Sequence, residues 1–152
     1  MSRKIFLLLI VSFSFRFGFS QEYKGSVIRV IDGDTFVFQT EEGSLIVRMH
    51  GIDAPERKQP FAAESADFLK QYLNREASVQ ISGTDRYGRS IGVLYVNKQD
   101  INLLSVRQGF AWQYKQYSSD KKYLVAEKLA RKRKRGLWAV PDPLPPWEWR
   151  KK

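Results

Sequence analysis

The chain has 152 residues, which suits one domain of ordinary size, and its 43% hydrophobic and 14% aromatic content argues against disorder. A formal net charge of +10 favours a polyanionic partner such as nucleic acid, or an anionic membrane surface; a merely soluble basic protein is the alternative. The sequence contains no cysteine, which excludes disulfides, zinc–thiolate sites and a catalytic thiol.

The first 20 residues have the pattern of a secretory signal peptide. Two basic residues precede an apolar run, and the small residues Gly18 and Ser20 stand just before Gln21. The run is shorter than the roughly 20 apolar residues that a membrane span needs. We therefore predict cleavage before Gln21 and a secreted or periplasmic protein without stable membrane association. An uncleaved anchor or a buried strand is the alternative for this segment.

Alternating apolar residues predict five strands in the first two thirds of the chain. Their expected ranges are Ser26–Ile31, Thr35–Thr40, Leu45–His50, Ala77–Ser82 and Arg89–Val96. The Asp32-Gly33 dipeptide predicts a tight hairpin turn between the first two strands, and Glu42-Gly43 predicts the next turn.

Helical periodicity and capping residues predict three helices, with the ranges Ala62–Leu73, Ile101–Gln108 and Lys121–Arg135. Asp100 is the expected N-cap of the second helix, Gly109 its end, and Ser119 the N-cap of the third. Four prolines after residue 140 argue against regular helix, so residues 141–152 are predicted to form an extended, Pro- and Trp-rich basic tail.

The order of these elements indicates the fold class. Five short strands, with one helix inserted between the third and fourth strands and helices after the last, suit a small closed barrel. Among small barrels, the five-stranded oligonucleotide-binding type fits best. We predict an α+β, mainly β domain over residues 21–140, built as an oligonucleotide-binding (OB-fold) barrel with about three helices.

Three carboxylates stand at predicted strand ends or in turns. Asp34 follows the Asp32-Gly33 turn, while Asp53 and Glu56 lie in a loop after the third strand. Carboxylate and carbonyl oxygens suit a hard cation such as calcium or magnesium. Taken singly, these acids are also explained as turn residues and solvated loop residues.

Two arginines accompany these acids. Arg48 lies between Val47 and Met49, and strand alternation directs it opposite to Val47. An arginine directed at a barrel face needs a carboxylate or a phosphate as partner. Arg89 stands where a turn runs into the fifth strand. The alternatives to phosphate binding are a structural ion pair for Arg48 and an ordinary turn-flanking charge for Arg89.

These motifs together resemble the staphylococcal nuclease (thermonuclease) family. The resemblance rests on segments spread from Tyr23 to Trp149: Asp32-Gly33-Asp34-Thr35, Arg48 with Asp53-Ala54-Pro55-Glu56, Asp85-Arg86-Tyr87-Gly88-Arg89, Val106-Arg107-Gln108-Gly109 and Gly136-Leu137-Trp138. It implies an oligonucleotide-binding barrel and calcium-dependent cleavage of DNA and RNA.

The resemblance also implies roles for individual residues. Calcium (Ca²⁺) is implied to bind three positions: Asp34, Asp53 and, through its backbone carbonyl, Ala54. Three residues are implied to be catalytic: Arg48, Glu56 as general base, and Arg89. Three are implied to contact the nucleotide: Arg86, Tyr87 and Tyr117.

Three departures from the family pattern concern substrate preference. Ala54 stands where the well-known member has threonine, but the implied ligand is a backbone carbonyl that alanine retains. Lys115 takes the place of a second pocket tyrosine, for which Tyr114 is a substitute. The loop between Glu56 and Glu64 is short, which trims a substrate-contacting loop of that member.

The sequence therefore predicts a monomeric, calcium-dependent endonuclease with little sequence specificity, acting on DNA and RNA. The alternative is a catalytically silent barrel that binds nucleic acid by charge and aromatic stacking. A silent binder has no need of three carboxylates and two arginines together, which favours the enzyme.

Overall fold

The computed structural model describes residues 21–152, so the predicted signal peptide lies outside the described residues. The strands are β1 Gln21–Val30, β2 Thr35–Thr40, β3 Gly43–Met49, β4 Ile52–Asp53, β5 Glu76–Thr84, β6 Ser90–Val96, β7 Gln99–Asp100 and β8 Trp112–Gln113. The helices are α1 Ala62–Lys70, α2 Ile101–Gln108, α3 Lys121–Lys132 and the one-turn α4 Pro146–Trp149, with a 3-10 turn at Gly136–Ala139.

Five of the strands close into a barrel in the order β3-β2-β1-β5-β6. Neighbours in this order pair antiparallel, and the barrel closes through a parallel pairing in which Val47, Arg48 and Met49 of β3 lie opposite Ser90, Ile91 and Gly92 of β6. The predicted five-stranded oligonucleotide-binding barrel is confirmed. The short strand β7 extends β6, and β4 pairs with β8 beside the barrel.

The barrel interior is filled by residues that alternate along each strand. Phe36 and Phe38 on β2 and Val47 and Met49 on β3 are almost fully buried, and Arg48 lies between the latter two on the other face. The predicted orientation of Arg48 opposite to Val47 is therefore confirmed. Full burial of such side chains contributes about 1.5–3 kcal/mol each, which strongly fixes the register of β3.

Helix α2 is fastened to the barrel by a buried asparagine. Asn102 donates through Nδ2 to the carbonyls of His50 (3.0 Å) and Gly92 (3.1 Å), and its Oδ1 accepts from the N–H of Leu94 (3.1 Å). A buried amide is tolerated only when it is satisfied in this way. Asn102 thus joins the residue after β3 to β6, the two strands whose pairing closes the barrel.

Two of the three predicted helix caps are confirmed. The Asp100 side chain accepts from the N–H of Leu103, and Gly109 ends α2 with φ 80°, a conformation that glycine adopts without a steric penalty. The predicted cap of the third helix is wrong by one residue, because Asp120 rather than Ser119 accepts from the N–H of Lys122. Both are N-cap residue types, so the sequence does not separate them.

The turn before Asp34 differs from the predicted two-residue hairpin turn. The connection runs over residues 31–34, and Gly33 does not have a positive φ. Gly33 instead permits close packing, because a Cβ at this position would lie 2.6 Å from Cβ of Ser65 and 2.7 Å from Cβ of Ala54. The glycine therefore allows the β1–β2 connection to approach α1 and the loop after β4.

The prolines predicted a fully extended C-terminal segment, but part of this segment is helical. Pro146–Trp149 forms α4, with Pro146 at the first helical position, where a missing N–H removes no intrahelical hydrogen bond. Trp147 packs against a second apolar cluster, formed by Trp112, Ala130, Leu137 and Trp138. The segment is thereby docked on the barrel domain.

Within residues 21–152, no helix has the length and apolar character needed to cross a membrane.

We expect Gly33→Ala to lower the free energy of unfolding by about 1–3 kcal/mol, because the added methyl overpacks the contact with Ser65 and Ala54. The measurement is urea unfolding followed by tryptophan fluorescence. Gly83→Ala is the matched control, because a Cβ there meets nothing within 4 Å. Equal losses in the two variants would show that close packing does not explain Gly33.

Candidate active site

An open groove of about 770 Å³ lies at one rim of the barrel. It collects all five charged residues singled out in the sequence, which come from the β1–β2 connection, β3, β4 and the loops after β4 and β5: Asp34, Arg48, Asp53, Glu56 and Arg89. The barrel closure brings these separate segments together, because β3 and β6 are neighbours only through the parallel pairing.

Asp34 is held rigidly by hydrogen bonds on both carboxylate oxygens. Oδ1 accepts from the Thr35 hydroxyl (3.1 Å), and Oδ2 accepts from the backbone N–H of Ala54 (2.6 Å). Its own N–H donates to Oδ1 of Asp32 (3.0 Å). The residue is only 6% exposed, so the carboxylate orientation is set before any ligand arrives.

Arg48 is the centre of the acidic part of the groove. Its Nη2 lies 2.9 Å from Oδ1 of Asp53 and 3.2 Å from Oδ2 of Asp34. Its Nη1 donates to the backbone carbonyls of Met49 (2.8 Å) and Ile52 (2.9 Å). The structural ion pair, which the sequence left as the alternative for Arg48, is present, and it involves both aspartates.

Asp53 lies between two arginines. Oδ1 pairs with Arg48, and Oδ2 accepts from Nη2 of Arg150 at 2.9 Å. The residue is 2% exposed. Burial raises the pKa of Asp53 to about 6, and neighbouring Asp34 adds to this, although the hydrogen bond from Arg150 and the charge of Arg48 act in the opposite direction. The two arginines therefore offset only part of the effect of burial on this carboxyl group.

Asp32 is a third acid of this group, and it lines the groove beside Asp34. Burial, together with the charge of Asp34, raises the pKa of Asp32 to about 6. Sequence reasoning treated Asp32 only as a turn residue. Asp34 follows only two residues later, but the burial of this pair of acids is a tertiary feature that an Asp-Gly pattern does not reveal.

Glu56 lies at the rim, in the loop after β4, and its side chain is 38% exposed. The backbone N–H of Glu56 donates to Oε1 of Gln59 (2.9 Å), and the N–H of Gln59 donates back to the carbonyl of Glu56 (2.8 Å). The Glu56 carboxylate pairs with Nη1 of Arg150. Glu56 is thus oriented toward the groove while remaining accessible to water.

Arg89 lines the same groove from the β5–β6 turn, and its partner is Asp85. Nε of Arg89 donates to Oδ2 of Asp85 (2.8 Å), while Oδ1 accepts from the N–H groups of Tyr87 (2.9 Å) and Arg89 (3.0 Å). Despite the opposing effect of burial, these hydrogen bonds lower the pKa of Asp85. Asp85 therefore shapes the turn and aims Arg89.

The predicted nucleotide-contacting residues are exposed around the groove. Tyr87 is 69% and Tyr117 61% exposed. The Arg86 guanidinium lies 4.9 Å from the centre of the Tyr87 ring and donates to its hydroxyl (2.8 Å). Tyr117 packs against Tyr114 with 4.8 Å between ring centres. Large exposed rings of this kind offer surfaces on which bases can stack.

The residues present fit a hard divalent cation. Asp34 and Asp53 offer carboxylate oxygens and Ala54 a backbone carbonyl, which are the oxygen donors that calcium prefers, with water completing its shell. Across residues 21–152, no three His, Cys, Asp or Glu side chains converge on one metal position. The candidate set is therefore two carboxylates and a carbonyl, and the absence of cysteine excludes a thiolate site.

Sequence reasoning missed one residue of the groove and one residue that packs beside it. Arg150 was assigned to a basic tail, although it contacts both Asp53 and Glu56. Trp147 stacks on Tyr114, with ring centres 5.7 Å apart and planes within 4°. The two tryptophans of the Trp-Glu-Trp-Arg ending were a usable signal, since tryptophan is highly buried on average.

The fold and the groove define an oligonucleotide-binding barrel with an acid–arginine site at its rim. A family model described as staphylococcal nuclease homologue matches residues 46–140. The chain is 41% identical over 128 residues to a protein named uncharacterized endonuclease from Escherichia coli O157:H7, covering 83% of this chain and 84% of the relative.

Two further relatives agree with this match. A Haemophilus influenzae protein, also named uncharacterized endonuclease, is 42% identical over 127 residues, covering 82% of this chain and 71% of the relative. A Shigella flexneri protein named micrococcal nuclease is 35% identical over 142 residues, covering 86% and 82%. The chain belongs to the staphylococcal nuclease family, which confirms the resemblance seen in its motifs.

Without added metal, we expect the free energy of unfolding to increase by at least about 1 kcal/mol as the pH is lowered from about 7 to about 5. The pKa values of Asp32 and Asp53, about 6, exceed that of an unfolded aspartate. The folded protein therefore binds more protons than the unfolded chain does, so the free energy of unfolding falls as the pH rises through about 6. Urea unfolding with chelator measures this.

Asp32→Asn should weaken this pH dependence, because it removes one of the two acids whose pKa is raised. Glu41→Gln is the control, since Glu41 is an exposed acid in the β2–β3 turn. A wild-type stability that rises between pH 5 and pH 7 would contradict the raised pKa values.

Proposed function

We propose that the protein is a calcium-dependent endonuclease that hydrolyses phosphodiester bonds of DNA and RNA with little sequence specificity. Nuclease chemistry follows from its family and from the nuclease names of its relatives. The observation that carries the proposal is the convergence of Asp34, Arg48, Asp53, Glu56 and Arg89 on one open groove. The net charge of +10 suits a polyanionic substrate.

Asp34, Asp53 and the carbonyl of Ala54 would hold Ca²⁺. When bound, the ion supplies Lewis-acid polarisation of a phosphoryl oxygen and neutralises developing charge. The protein prepares these donors in advance: the backbone N–H of Ala54 and the Thr35 hydroxyl fix the Asp34 carboxylate, and burial keeps the Asp53 carboxylate poor in solvating water.

Glu56 acts as the general base. Its carboxylate stands at the rim, partly exposed, and is therefore able to accept a proton from a water molecule that enters the groove. The loop bonds between Glu56 and Gln59 limit how far the backbone can drift. Restricting the backbone in this way reduces the entropy that must be lost to reach a reactive geometry.

Arg48 and Arg89 bind the phosphate that is attacked. A guanidinium presents planar, paired donors that match phosphate oxygens, and such donors are most valuable where charge develops in the transition state. Arg89 reaches the groove from the opposite side of the barrel closure, held by Asp85. Arg48, whose Nη2 contacts both aspartates, would turn that nitrogen toward a phosphate oxygen of the bound substrate.

The rim residues support contact with the nucleotides. Arg86 and Tyr87 on one side, and Tyr114 and Tyr117 on the other, offer rings and a guanidinium without a base-specific pattern of donors. Stacking of this kind tolerates any sequence, in keeping with low specificity. We further propose that the mature protein is a monomer and, from the pattern of residues 1–20, that it is secreted or periplasmic.

The purified 21–152 product is expected to degrade DNA and RNA when calcium is added and to be inactive with chelator, with magnesium as a comparison ion.

Glu56→Gln should lower kcat on the order of a hundredfold or more, because the proton acceptor is lost. Substrate cleavage on gels and by absorbance provides the measurement. Unimpaired nucleic-acid binding with no cleavage of either polymer would favour the silent binding module.

Asp85→Ala should lower kcat by about tenfold to a hundredfold, because Arg89 loses the carboxylate that aims it. Steady-state cleavage of a short fluorescent DNA gives kcat and KM. Asp67→Ala is the control, since Asp67 forms an exposed ion pair with Lys70 on α1, away from the groove. An Asp85→Ala variant with wild-type kcat would show that Arg89 needs no such support.

A further inference from the structure

The C-terminal arm, residues 141–152, returns to the groove after the last long helix. The carbonyl of Leu144 contacts Gln59 in the loop behind Glu56, while Trp147 and Arg150 contact groove residues: Trp147 contacts Tyr114, and Arg150 contacts Asp53 and Glu56. These contacts lie on β4, on the loop after β4 and on the segment after β8. The arm is therefore part of the groove wall.

The first contact fastens the loop that carries Glu56. Nε2 of Gln59 donates to the carbonyl of Leu144 (2.6 Å), while Oε1 of the same amide accepts from the N–H of Glu56 (2.9 Å). Gln59 is 5% exposed, so a loss of either bond would leave a buried polar group without a partner. One side chain thereby links the backbone of Glu56 to the arm.

The second contact sets the direction of α4. The Trp147 ring stacks parallel to the Tyr114 ring and also packs against the apolar cluster of Trp112, Leu137 and Trp138. An indole held on two sides fixes the short helix that carries it. Arg150 follows directly as the C-cap of α4, which aims its side chain back toward the groove.

The third contact is a guanidinium that spans two carboxylates. Nη1 of Arg150 pairs with Oε1 of Glu56, and Nη2 lies 2.9 Å from Oδ2 of Asp53. Among residues 21–152, Arg150 is the only side chain that hydrogen-bonds or ion-pairs with the Glu56 carboxylate. The orientation of that carboxylate thus depends on a residue 94 positions away in sequence.

We infer that Arg150 is a positioning residue that holds Glu56 in the orientation needed to take a proton. The inference rests on the proposed function, in which Glu56 is the general base. The planar fork fixes the angle between the Glu56 and Asp53 carboxylates, which a single ammonium group does not do. Without Arg150, the partly exposed Glu56 side chain samples several rotamers. Ordering that side chain during the reaction then raises the activation free energy.

The test is a kinetic double-mutant cycle on the 21–152 product with calcium and a short fluorescent DNA. Arg150→Ala should lower kcat by about 10-fold to 100-fold, the usual effect of removing a residue that orients a reactive ligand, with KM nearly unchanged. In a Glu56→Gln background the same change should leave kcat within about twofold, because the group it positions no longer acts. Arg150→Lys should recover only part of the loss.

Lys151→Ala is the matched control: it removes the same charge one residue later, from a side chain paired with Glu148 rather than with groove residues, and it should keep wild-type kcat. Binding of the labelled DNA in chelator should be equal for wild type and Arg150→Ala. Weaker DNA binding by Arg150→Ala would show that Arg150 binds a phosphate. A higher kcat would show that the arm inhibits the site. An equal loss of kcat in the Glu56→Gln background would show that Arg150 acts on the structure and not through Glu56. Each of these results overturns the inference.

The same experiment separates this inference from the proposed function. A wild-type protein that fails to cleave with calcium refutes the proposed function itself. A wild-type protein that cleaves and loses activity on Glu56→Gln, but keeps wild-type kcat on Arg150→Ala, refutes only the role of Arg150. Thermal unfolding of each variant identifies any loss that arises from misfolding.

Discussion

The burial of Asp34 and Asp53 beside each other is the constraint on which the groove depends. Two desolvated carboxylates are tolerated only with cations and hydrogen-bond donors placed against them. Arg48 meets this need with one nitrogen toward both acids and the other toward two backbone carbonyls. The buried neighbours of Arg48 on β3, Val47 and Met49, hold the guanidinium in place, so core packing and site electrostatics are fixed by the same strand.

Barrel closure converts this local arrangement into a site. The parallel pairing of β3 with β6 places the β5–β6 turn, and with it Arg89, at the rim where Asp34 and Asp53 emerge. The small size of Gly33 lets the β1–β2 connection approach Ala54, whose N–H then reaches Asp34. Residues from separate parts of the sequence therefore share one groove because of strand order and one close contact, rather than by sequence proximity.

The strands and charged residues were predictable because their signals are local. Period-two alternation placed all five barrel strands and the outward face of Arg48, since it reports burial directly. Alternation gives a face and not a partner, so it did not decide between an ion pair and a phosphate for Arg48. The docking of the arm was missed for a related reason: proline rules describe residues 141–152 alone, whereas α4 is positioned by Trp147 meeting Tyr114 across the fold.

Charge balance shows why the arm and a metal ion are compatible in one groove. Around the two buried aspartates, the four carboxylates of Asp32, Asp34, Asp53 and Glu56 face the two guanidinium groups of Arg48 and Arg150, so these six side chains carry a formal charge of −2 with the arm in place. Of the other charged side chains of the groove, Arg89 and Asp85 form an ion pair and cancel, and Arg86 adds one positive charge beside Tyr87. The charge of −2 on these six side chains is equal and opposite to that of one divalent cation. Arg150 therefore has no need to leave when a cation binds, which is what a positioning residue for Glu56 requires.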